Sequence, residues 1–559
     1  MPRLNATEVA GLLTELSRRS ALAGGNPYRA RAYARAADAI GTIGTSLDEV
    51  IAAGRLRSIE GIGDTIADIV TQLHETGTHP TLEKLRRDVP ASVLEMLTVP
   101  GLRPDKVTML YRDLGIRSLA ELEAAARADR LKRVKGIGAA LQAKIIEGIA
   151  VREEAGNARH MNRAADLIAA AQRDLERSDY RPSRVTPAGD FRRSSELVRD
   201  ISFVVELPEH AGPPETLAAG GLTVTLTDPA HAGAALLMAT GSAEHLAELR
   251  RLAGAKNMEL RPEGLVRGTK VVAAASEADI YRALGLDFIP PELREGRGEI
   301  ELAGRHRLPV LVEENDLRGI LHAHTVASDG VNTLEEMADA TLARGYQYFG
   351  IADHSRSAFY AGGLSLEEIA EQQAEVARLN RKYGRRFHVF HGIESDILVD
   401  GALDYPDDVL AGFDFVVASV HSRFKLDEKK QTERILAAVR HPATTILGHM
   451  TGRQLLRRAG YDIDVEAVLA ACAEHGVAVE INGNPWRLDL DWRWHRRGLE
   501  LGCMFSINPD AHSIAEIDLT HWGLLIARKG GIPKEHVLNC LSRAEIEAFF
   551  RKRRQRWQR

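Results

Sequence analysis

The chain has 559 residues, of which 44% are hydrophobic and 27% charged, and its formal net charge is −5. This length predicts several domains, and the composition is ordinary for globular protein. The charge excludes a uniformly basic nucleic-acid binder, so any DNA contact must come from local patches or backbone-directed motifs. Three cysteines, Cys472, Cys503 and Cys540, are too few and too scattered for a disulfide framework or a thiolate zinc site.

Neither a targeting signal nor a membrane span is predicted. Residues 1–20 have the pattern of a capped amphipathic helix rather than a signal peptide. No uninterrupted apolar stretch is long enough to cross a bilayer. We therefore expect a cytoplasmic protein without a membrane partner.

Three similar segments recur in the first 155 residues. They are SIEGIGDTIADIV (58–70), TVPGLRPDKVTML (98–110) and RVKGIGAALQAKI (133–145), and each predicts a helix, a tight glycine turn and a second helix. Such glycines let the backbone approach a phosphate, and the free N–H groups of the next helix face the anion. One copy alone would favour a simple helix C-cap. Three copies favour helix-hairpin-helix motifs that bind DNA backbone without reading sequence, through Gly61, Gly63, Gly101, Gly136 and Gly138.

The middle of the chain mixes two kinds of element. Residues 158–305 contain strand-like runs such as ISFVVEL and LTVTLT among helices, and the segment AGRHRLPVLVEEND (303–316) has the pattern of a linker. From Leu317 onward, strands alternate with helical stretches, which predicts βα units and a parallel sheet.

Seven apolar, β-branched runs in this last part end in side chains of metal-binding type. The runs are GILHAHT (319–325), YFGIADHS (348–355), FHVFHGIESD (387–396), FDFVVASVH (413–421), TTILGHM (444–450), GVAVEIN (476–482) and CMFSINPDAH (503–512). Ligands gathered at the carboxyl ends of strands are the expected layout of a β/α-barrel active site.

Each candidate ligand taken alone is weak evidence, because a lone histidine at a strand end is usually an ordinary polar residue. H-x-H and D-x-H pairs, however, place both side chains on one face of a strand. A catalytic zinc takes about three protein ligands, so the number of candidates predicts two or three ions in a centre of the type used on phosphate esters. The candidates are His322, His324, Asp329, His354, Glu394, His421, His449, Asp510 and His512.

Five segments carry a resemblance to one family. They are NPYRARAYARAADAI (26–40), PAGDFRRSSELVRDISFVVE (187–206), ATGSAEHLAELRRLA (239–253), YRALGLDFIPPELREGRGEIELA (281–303) and DLRGILHAHTVASDGVNTLEEM (316–337). They resemble the lyase, palm, thumb, inter-domain and PHP-opening segments of a bacterial family X DNA polymerase with a C-terminal PHP domain.

The resemblance implies a multi-domain α and α/β fold. A lyase-like helix-hairpin-helix domain would occupy residues 1–85 and a fingers-like one residues 86–155. A nucleotidyltransferase-like palm and thumb would occupy residues 156–305, a linker residues 306–316, and a PHP domain, which is a distorted (β/α)7 barrel, residues 317–559.

The palm-like segment departs from the family's pattern of three metal-binding aspartates. Asp200 matches the first, but Ser202 and Thr223 stand at the other two positions. One carboxylate cannot hold two divalent ions beside three phosphates, so a module that does not synthesise DNA is predicted. Substitution by Asp228 is the alternative, although it leaves Ser202 unexplained.

Two other positions of the polymerase-like region differ in the same direction. The triphosphate-binding Gly-Ser pair of the family reads Gly189-Asp190, which adds a negative charge, and Ile69 stands where the family's lyase carries a Schiff-base lysine. Arg192 and Arg193 remain as candidate DNA contacts.

In the PHP segment every ligand position of the family pattern is present. The resemblance implies one ion at His322, His324, Glu394 and Asp510, with Glu394 bridging to a second and the other candidates completing the cluster. Histidine-rich ligation favours Mn²⁺, Zn²⁺ or Fe²⁺ over Mg²⁺.

Five further residues are candidates around that centre. Asp353 is expected to orient a ligand. Arg356 and Arg487 would hold phosphate oxygens, with surface salt bridges as the equal alternative. Trp486 and Trp492 could stack on an unpaired base, although a packing role is slightly favoured.

The implied function is DNA repair of the base-excision type by a metal-dependent 3′→5′ exonuclease, with 3′-phosphatase and abasic-site cleavage as further activities. The expected partner is gapped, nicked or 3′-recessed DNA, bound by a monomer associated with the bacterial nucleoid. A histidinol-phosphatase-like small-molecule phosphatase, a polymerase with residual gap filling and a non-enzymatic gap-binding scaffold are the alternatives.

Overall fold

The computed structural model describes residues 4, 6–24, 27–41, 47–59, 61–99, 102–131, 137–139, 141–143, 145–146, 148–149, 156–208, 212–219 and 221–557. The chain divides into two compact units, Met1–Gly156 with Leu456–Arg458, and Asn157–Leu455 with Ala459–Arg559. In these described ranges, no helix is both long and apolar enough to cross a membrane.

The first unit is helical. Its helices are α1 (Ala6–Leu22), α2 (Pro27–Gly41), α3 (Leu47–Ala52), α4 (Asp64–Thr76), α5 (Pro80–Asp88), α6 (Ala91–Glu95), α7 (Pro104–Leu114) and α8 (Leu119–Arg127). Helices α4 and α7 end where Gly77 and Gly115 take left-handed backbone with φ of 70° and 66°, a conformation that glycine adopts without a Cβ clash. Apolar side chains form two clusters, one between Val9 and Leu85 and the other mainly between Val89 and Ile149.

The first glycine turn of the sequence repeat precedes α4. Gly61 has a φ of 86° and is exposed, and Gly63 is the N-cap of α4. Gly138 is also described, and its carbonyl accepts the Leu141 and Gln142 N–H groups. Gly101 and Gly136 lie outside the described residues.

The second unit begins with a palm-like layer. Its elements are β1 (Arg159–His160), α9 (Met161–Glu176), β2 (Arg184–Pro187), α10 (Gly189–Arg192), β3 (Leu197–Val198), β4 (Ile201–Glu206), β5 (Glu215–Ala219) and β6 (Leu222–Thr227). The four-stranded sheet has the order β2-β4-β6-β5, in which β4 and β6 are parallel.

A small thumb-like layer follows. It contains α11 (Ala232–Thr240), α12 (Ala243–Ala255), β7 (Glu259–Arg261), β8 (Gly264–Arg267), β9 (Lys270–Ala273), α13 (Glu277–Ala283) and α14 (Glu299–Gly304). Arg294 is fully buried here, and Glu277 accepts hydrogen bonds from both Arg294 and Arg192. The segment before residue 317 is packed rather than loose, because Val312 is buried and its N–H donates to the Ile532 carbonyl.

The remaining elements are seven strands, which form one parallel sheet as the strand pattern predicts, and the helices between and after them. They are β10 (Gly319–Ile320), α15 (Leu334–Ala343), β11 (Tyr348–Ile351), α16 (Leu366–Tyr383), β12 (His388–Asp396), α17 (Asp407–Leu410), β13 (Phe415–Ser419), α18 (Glu428–Arg440), β14 (Ile446–Leu447), α19 (Val465–His475), β15 (Ala478–Asn482), α20 (His495–Leu501), β16 (Phe505–Asn508), α21 (Thr520–Lys529) and α22 (Arg543–Trp557).

These strands follow one another in chain order from β10 to β16. A parallel bridge between Ala323 and Ala511 joins the segments that follow the two edge strands, so the sheet is a nearly closed barrel. Strand residues such as Ile351, Val417 and Ile481 are fully buried, which explains why the strands are apolar throughout and do not alternate.

The buried charge cluster of the thumb-like layer predicts a stability effect. Glu277→Gln removes the carboxylate that neutralises the fully buried Arg294, so we expect a loss of about 3–5 kcal/mol in the free energy of unfolding. The measurement is urea denaturation of the full chain. Glu301→Gln is the matched control, because Glu301 pairs with Arg305 on the surface and should contribute at most about 1 kcal/mol. Equal stability of the two variants would contradict the assignment.

Candidate metal centre

All nine candidate metal ligands lie together at the carboxyl ends of the barrel strands. The bridge between Ala323 and Ala511 sets the H-x-H pair of His322 and His324 beside the D-x-H pair of Asp510 and His512. In both pairs the intervening alanine makes the bridge, so the flanking side chains share the opposite face. The strand pattern alone could not specify this closure.

Glu394 lies at the middle of the cluster. Its carboxylate oxygens are 2.9 Å from His354 Nδ1, 3.1 Å from His449 Nε2 and 3.3 Å from His421 Nε2. His322 Nε2 and His324 Nε2 lie 3.5 and 3.7 Å from the same carboxylate. A group in this position can bridge two cations, as the family pattern implies for Glu394.

The other two candidate carboxylates, Asp510 and Asp329, contact four histidines between them. Asp510 Oδ1 is 3.1 Å from His324 Nε2 and 3.6 Å from His322 Nε2. Asp329 Oδ1 is 3.3 Å from His512 Nε2 and 3.5 Å from His354 Nε2. Asp329 is 37% exposed and His512 is 32% exposed, whereas the side chains of the other ligands are at most 9% exposed, so these two mark the open side of the centre.

The residues fit a cluster of divalent cations. Three subsets have ligand atoms that all lie within 4.8 Å of one another: His324, Asp329, His354 and His512; His322, His324 and Asp510; and His354, Glu394 and His421. Within the described residues, buried His322 Nε2, His324 Nδ1 and His449 Nδ1 have no hydrogen-bond partner, and His354 Nδ1 and Glu394 Oε2, although 2.9 Å apart, do not form a hydrogen bond. Buried polar atoms are rarely left unpaired, so these atoms indicate ligand positions.

The electrostatics of the centre favour a cation. Burial acts to raise the pKa of Glu394, but His421, His322 and His354 hold it well below its usual range. Burial likewise acts to lower the pKa of His421, yet Glu394 and Asp396 raise it to about 10. His512 behaves in the same way, and Asp329 and Asp510 raise its pKa to about 9. The buried carboxylates therefore favour positive charge on His421 and His512, which a divalent cation would also supply.

Two carboxylates that sequence reasoning missed orient the ligands. Glu480 Oε1 accepts from His322 Nδ1 at 2.6 Å, and Asp396 Oδ1 accepts from His421 Nδ1 at 2.5 Å. Each contact fixes the tautomer so that Nε2 points into the cluster. Glu480 begins the motif EIN and Asp396 ends the motif ESD, each near the carboxyl end of a barrel strand. That position was the available signal in the sequence.

Asp353 differs from its expected role. Its carboxylate accepts hydrogen bonds from Thr325 N and Oγ1, at 2.7 Å each, from Ser328 Oγ at 2.5 Å and from Gln372 Nε2 at 2.7 Å. None of these donors is a candidate ligand. Asp353 thus holds the loop that follows His324 rather than a ligand side chain.

The two candidate phosphate-binding arginines are placed differently. Arg487 Nε lies 3.8 Å from Asp510 Oδ2 and its side chain is 20% exposed, so this guanidinium borders the centre. Arg356 is exposed. Its backbone N–H donates to the Tyr405 hydroxyl, and its guanidinium lies 6.0 Å from the centre of the Tyr405 ring. Only Arg487 contacts a candidate ligand.

The two tryptophans join the palm-like layer to the barrel. Trp492 is buried and donates to Glu196 Oε2 at 2.7 Å, which agrees with a packing role. Trp486 is 48% exposed and lies against His160, with ring centroids 4.1 Å apart.

The palm-like sheet places Ser202 beside Thr223 on the parallel strands β4 and β6. Asp200 precedes β4, whereas Asp228 follows the far end of β6. The intervening strand length separates these two aspartates by roughly 20 Å. Asp228 therefore cannot replace the missing carboxylate beside Asp200, and it is instead paired with His231 at 2.9 Å.

Arg192 and Arg193, expected to contact DNA, are engaged inside the protein. Arg192 makes a bidentate pair with Glu277 at 2.7 and 2.8 Å. Arg193 donates to Glu295 at 3.0 Å and to Asp190 at 2.5 Å. Their side chains are only 19% and 12% exposed, and both arginines hold the palm-like and thumb-like layers together, so a contact with DNA stays a prediction. Ile69, at the family's lysine position, is buried in the core of the first unit.

Four family models match the chain. The helix-hairpin-helix domain matches residues 5–79, the SAM-like helix-hairpin-helix tandem residues 93–150, the DNA polymerase beta thumb residues 235–295 and the PHP domain residues 321–484.

Curated relatives include one that extends over nearly the whole chain. The DNA polymerase/3′-5′ exonuclease PolX of Bacillus subtilis is 30% identical over 98% of this chain and 100% of its own length. A probable phosphatase of Caldanaerobacter subterraneus subsp. tengcongensis is 25% identical over 42% of this chain and 91% of its own. A probable phosphatase of Vibrio campbellii is 30% identical over 35% of this chain and 78% of its own.

The contacts of Glu480 predict the effect of removing its charge. One oxygen accepts from His322 Nδ1 and Asn508 Nδ2, and the other from the His449 N–H and Asn482 Nδ2. In Glu480→Gln the amide NH₂ group must face two hydrogen-bond donors, whichever of the two oxygens it replaces. We expect metal affinity, measured by competition with a chelator, to fall by about 10- to 100-fold. Glu474→Gln, on the exposed face of α19, is the matched control, and equal affinity of both variants would reject the role of Glu480.

Proposed function

Because the chain belongs to the PolX family of DNA polymerase/3′-5′ exonucleases, we propose that it is a metal-dependent 3′→5′ exonuclease that processes DNA ends and does not synthesise DNA. The observation that carries this proposal is the convergence of eight ligand side chains around a ninth, Glu394, at the barrel mouth. The cluster would hold two or three ions, of Mn²⁺, Zn²⁺ or Fe²⁺.

Divalent ions at these residues would activate water and stabilise charge on the phosphate oxygens. His322, His324, Glu394 and Asp510 would hold one ion, and Asp329, His354, His421, His449 and His512 would complete the cluster. Glu480 and Asp396 keep His322 and His421 in the tautomer that binds metal. Arg487 borders Asp510 and would bind a phosphate oxygen of the substrate strand.

DNA as the substrate is supported by the remainder of the chain. Two helix-hairpin-helix models and a polymerase thumb model match outside the barrel. A helix-hairpin-helix turn binds backbone phosphate, which suits gapped, nicked or recessed ends without sequence preference. An exonuclease gains substrate affinity from such modules, whereas an enzyme acting on a free metabolite does not.

The absence of synthesis is argued from the palm-like sheet. Asp200 is the one carboxylate at its end of β4 that matches the family's triad, because Ser202 and Thr223 are neutral. Asp190 is held by Arg193 and by the Arg199 N–H beside Gly189, where a triphosphate would have to lie. Two-metal nucleotidyl transfer needs carboxylates that offset the triphosphate charge.

Phosphomonoester hydrolysis is the second candidate activity. The similarity to two probable phosphatases favours it, since their relationship to this chain spans most of their own lengths. On DNA the same chemistry would remove a 3′-phosphate, and abasic-site cleavage would be a further use of the centre.

The nuclease proposal predicts the effect of removing ligands. With Mn²⁺ and a 5′-labelled oligonucleotide, His324→Ala and Asp510→Ala should reduce 3′→5′ degradation to the level without metal while the fold is retained by circular dichroism. His521→Ala, an exposed histidine on α21, is the control and should keep full activity. Full nuclease activity in both ligand variants, with unchanged metal content, would contradict the assignment of His324 and Asp510 as metal ligands.

The palm-like sheet predicts no templated nucleotide addition with Mg²⁺ or Mn²⁺. The assay should use His324→Ala protein, because an active nuclease would hide slow synthesis. The Bacillus subtilis relative, under the same conditions, is the positive control for primer extension. Clear extension by the nuclease-deficient protein would refute the loss of polymerase activity.

A further inference from the structure

The exposed apolar residues of the barrel domain are confined to one side. Among the described residues from 317 onward, each large exposed hydrophobic side chain follows the carboxyl end of a strand. After β10, β11, β12 and β15, respectively, they are Val326 and Val331; Phe359, Tyr360 and Leu366; Val399; and Trp486. The metal centre opens on this same edge, so exposed apolar side chains and metal ligands lie on one side of the barrel.

Phe359 and Tyr360 are the most prominent aromatic residues of that rim. Their side chains are 86% and 62% exposed, and their ring centroids lie 5.9 Å apart at an interplanar angle of 79°. Contiguous exposed apolar patches of this kind often mark ligand-binding sites. The aromatic tip, which we define as residues 358–361 of the loop between β11 and α16, is therefore a candidate ligand contact.

This tip is held in place by its flanking residues. Ala358 and Ala361, on either side of the aromatic pair, are buried. Before the pair, the Ser357 N–H donates to Asp404 Oδ2 at 2.6 Å. After it, the Leu364 N–H donates to the His354 carbonyl at 2.9 Å. The rings are therefore presented by a fixed backbone, which keeps the entropic cost of stacking low.

The loop also contacts the residues that support the metal ligands. Ser357 Oγ donates to Asp396 Oδ2 at 2.8 Å, and the other oxygen of Asp396 accepts from His421. Partial burial of the Tyr360 hydroxyl and the nearby carboxylates of Asp396, Glu394 and Asp329 raise the pKa of Tyr360. The aromatic tip thus lies next to the centre and not at a remote surface.

We propose that Phe359 and Tyr360 form a base-stacking subsite for the nucleotide whose phosphate lies at the metal centre. The inference rests on the proposed nuclease function and deepens it. A nucleotide presents an anion and a flat aromatic base at a short fixed separation, and the site presents metal ligands with Arg487 beside an exposed aromatic pair. A peptide or an apolar metabolite would leave the metal centre unused.

The test compares ends with and without bases. The substrates are 5′-labelled single-stranded oligonucleotides that carry either normal bases or abasic residues at the last two positions, assayed with Mn²⁺ and the full chain. The double variant Phe359→Ala/Tyr360→Ala should lose about 5- to 150-fold in kcat/KM, mainly through KM, on the normal end. On the abasic end, wild type and double variant should be equal. Phe359→Tyr/Tyr360→Phe keeps both rings and should restore activity.

Tyr180→Ala, which removes an equally exposed aromatic of the palm-like layer, is the matched control and should match wild type on both ends. Equal losses of the double variant on both ends, or no loss on the normal end, would overturn the stacking subsite and leave the nuclease function standing. Hydrolysis of bis(4-nitrophenyl) phosphate without degradation of either oligonucleotide by the wild type would instead overturn the proposed nuclease function, and the subsite with it.

Discussion

A carboxylate buried among five histidines is the interaction on which the C-terminal barrel depends. Taking a carboxylate such as Glu394 out of water costs on the order of several kcal/mol unless cations surround it. The surrounding imidazoles supply that charge when they are protonated, and divalent ions can supply it in their place. The strands bring the histidines to Glu394, and Glu480 and Asp396 turn two of them so that a nitrogen faces inward. The barrel mouth therefore has a preference for cations before any substrate arrives.

The palm-like layer has the opposite character. Its two arginines, which were expected to bind DNA phosphates, form ion pairs with Glu277, Glu295 and Asp190. The paired positions Ser202 of β4 and Thr223 of β6 carry hydroxyls where the family has carboxylates. Contacts such as the hydrogen bond from Trp492 to Glu196 tie this layer to the barrel. The layer therefore serves as a rigid support, and the chemistry belongs to the barrel.

Much of this organisation could be predicted from the sequence. Apolar runs ending in H-x-H, D-x-H and single ligands specify both the parallel strands and the edge at which the ligands meet, because the carboxyl ends of parallel strands share an edge. The roles of Glu480, Asp396 and Arg193 could not be predicted in this way. Each depends on which partner lies opposite across the fold, more than twenty positions away in the chain, and periodicity carries no information about that choice. Asp353 shows the same limit, since its neighbour in sequence is a ligand but its partners are Thr325, Ser328 and Gln372.

We propose that one cluster of divalent ions around Glu394 is the reactive centre of the chain. Anomalous diffraction from a crystal grown with Mn²⁺ tests it most directly, because it locates the ions without assuming their ligands. We expect two or three manganese peaks in the barrel mouth, with Glu394 coordinating at least two of them and no peak beside Asp200. Manganese bound at the palm-like sheet, or a barrel mouth without any peak, would contradict it.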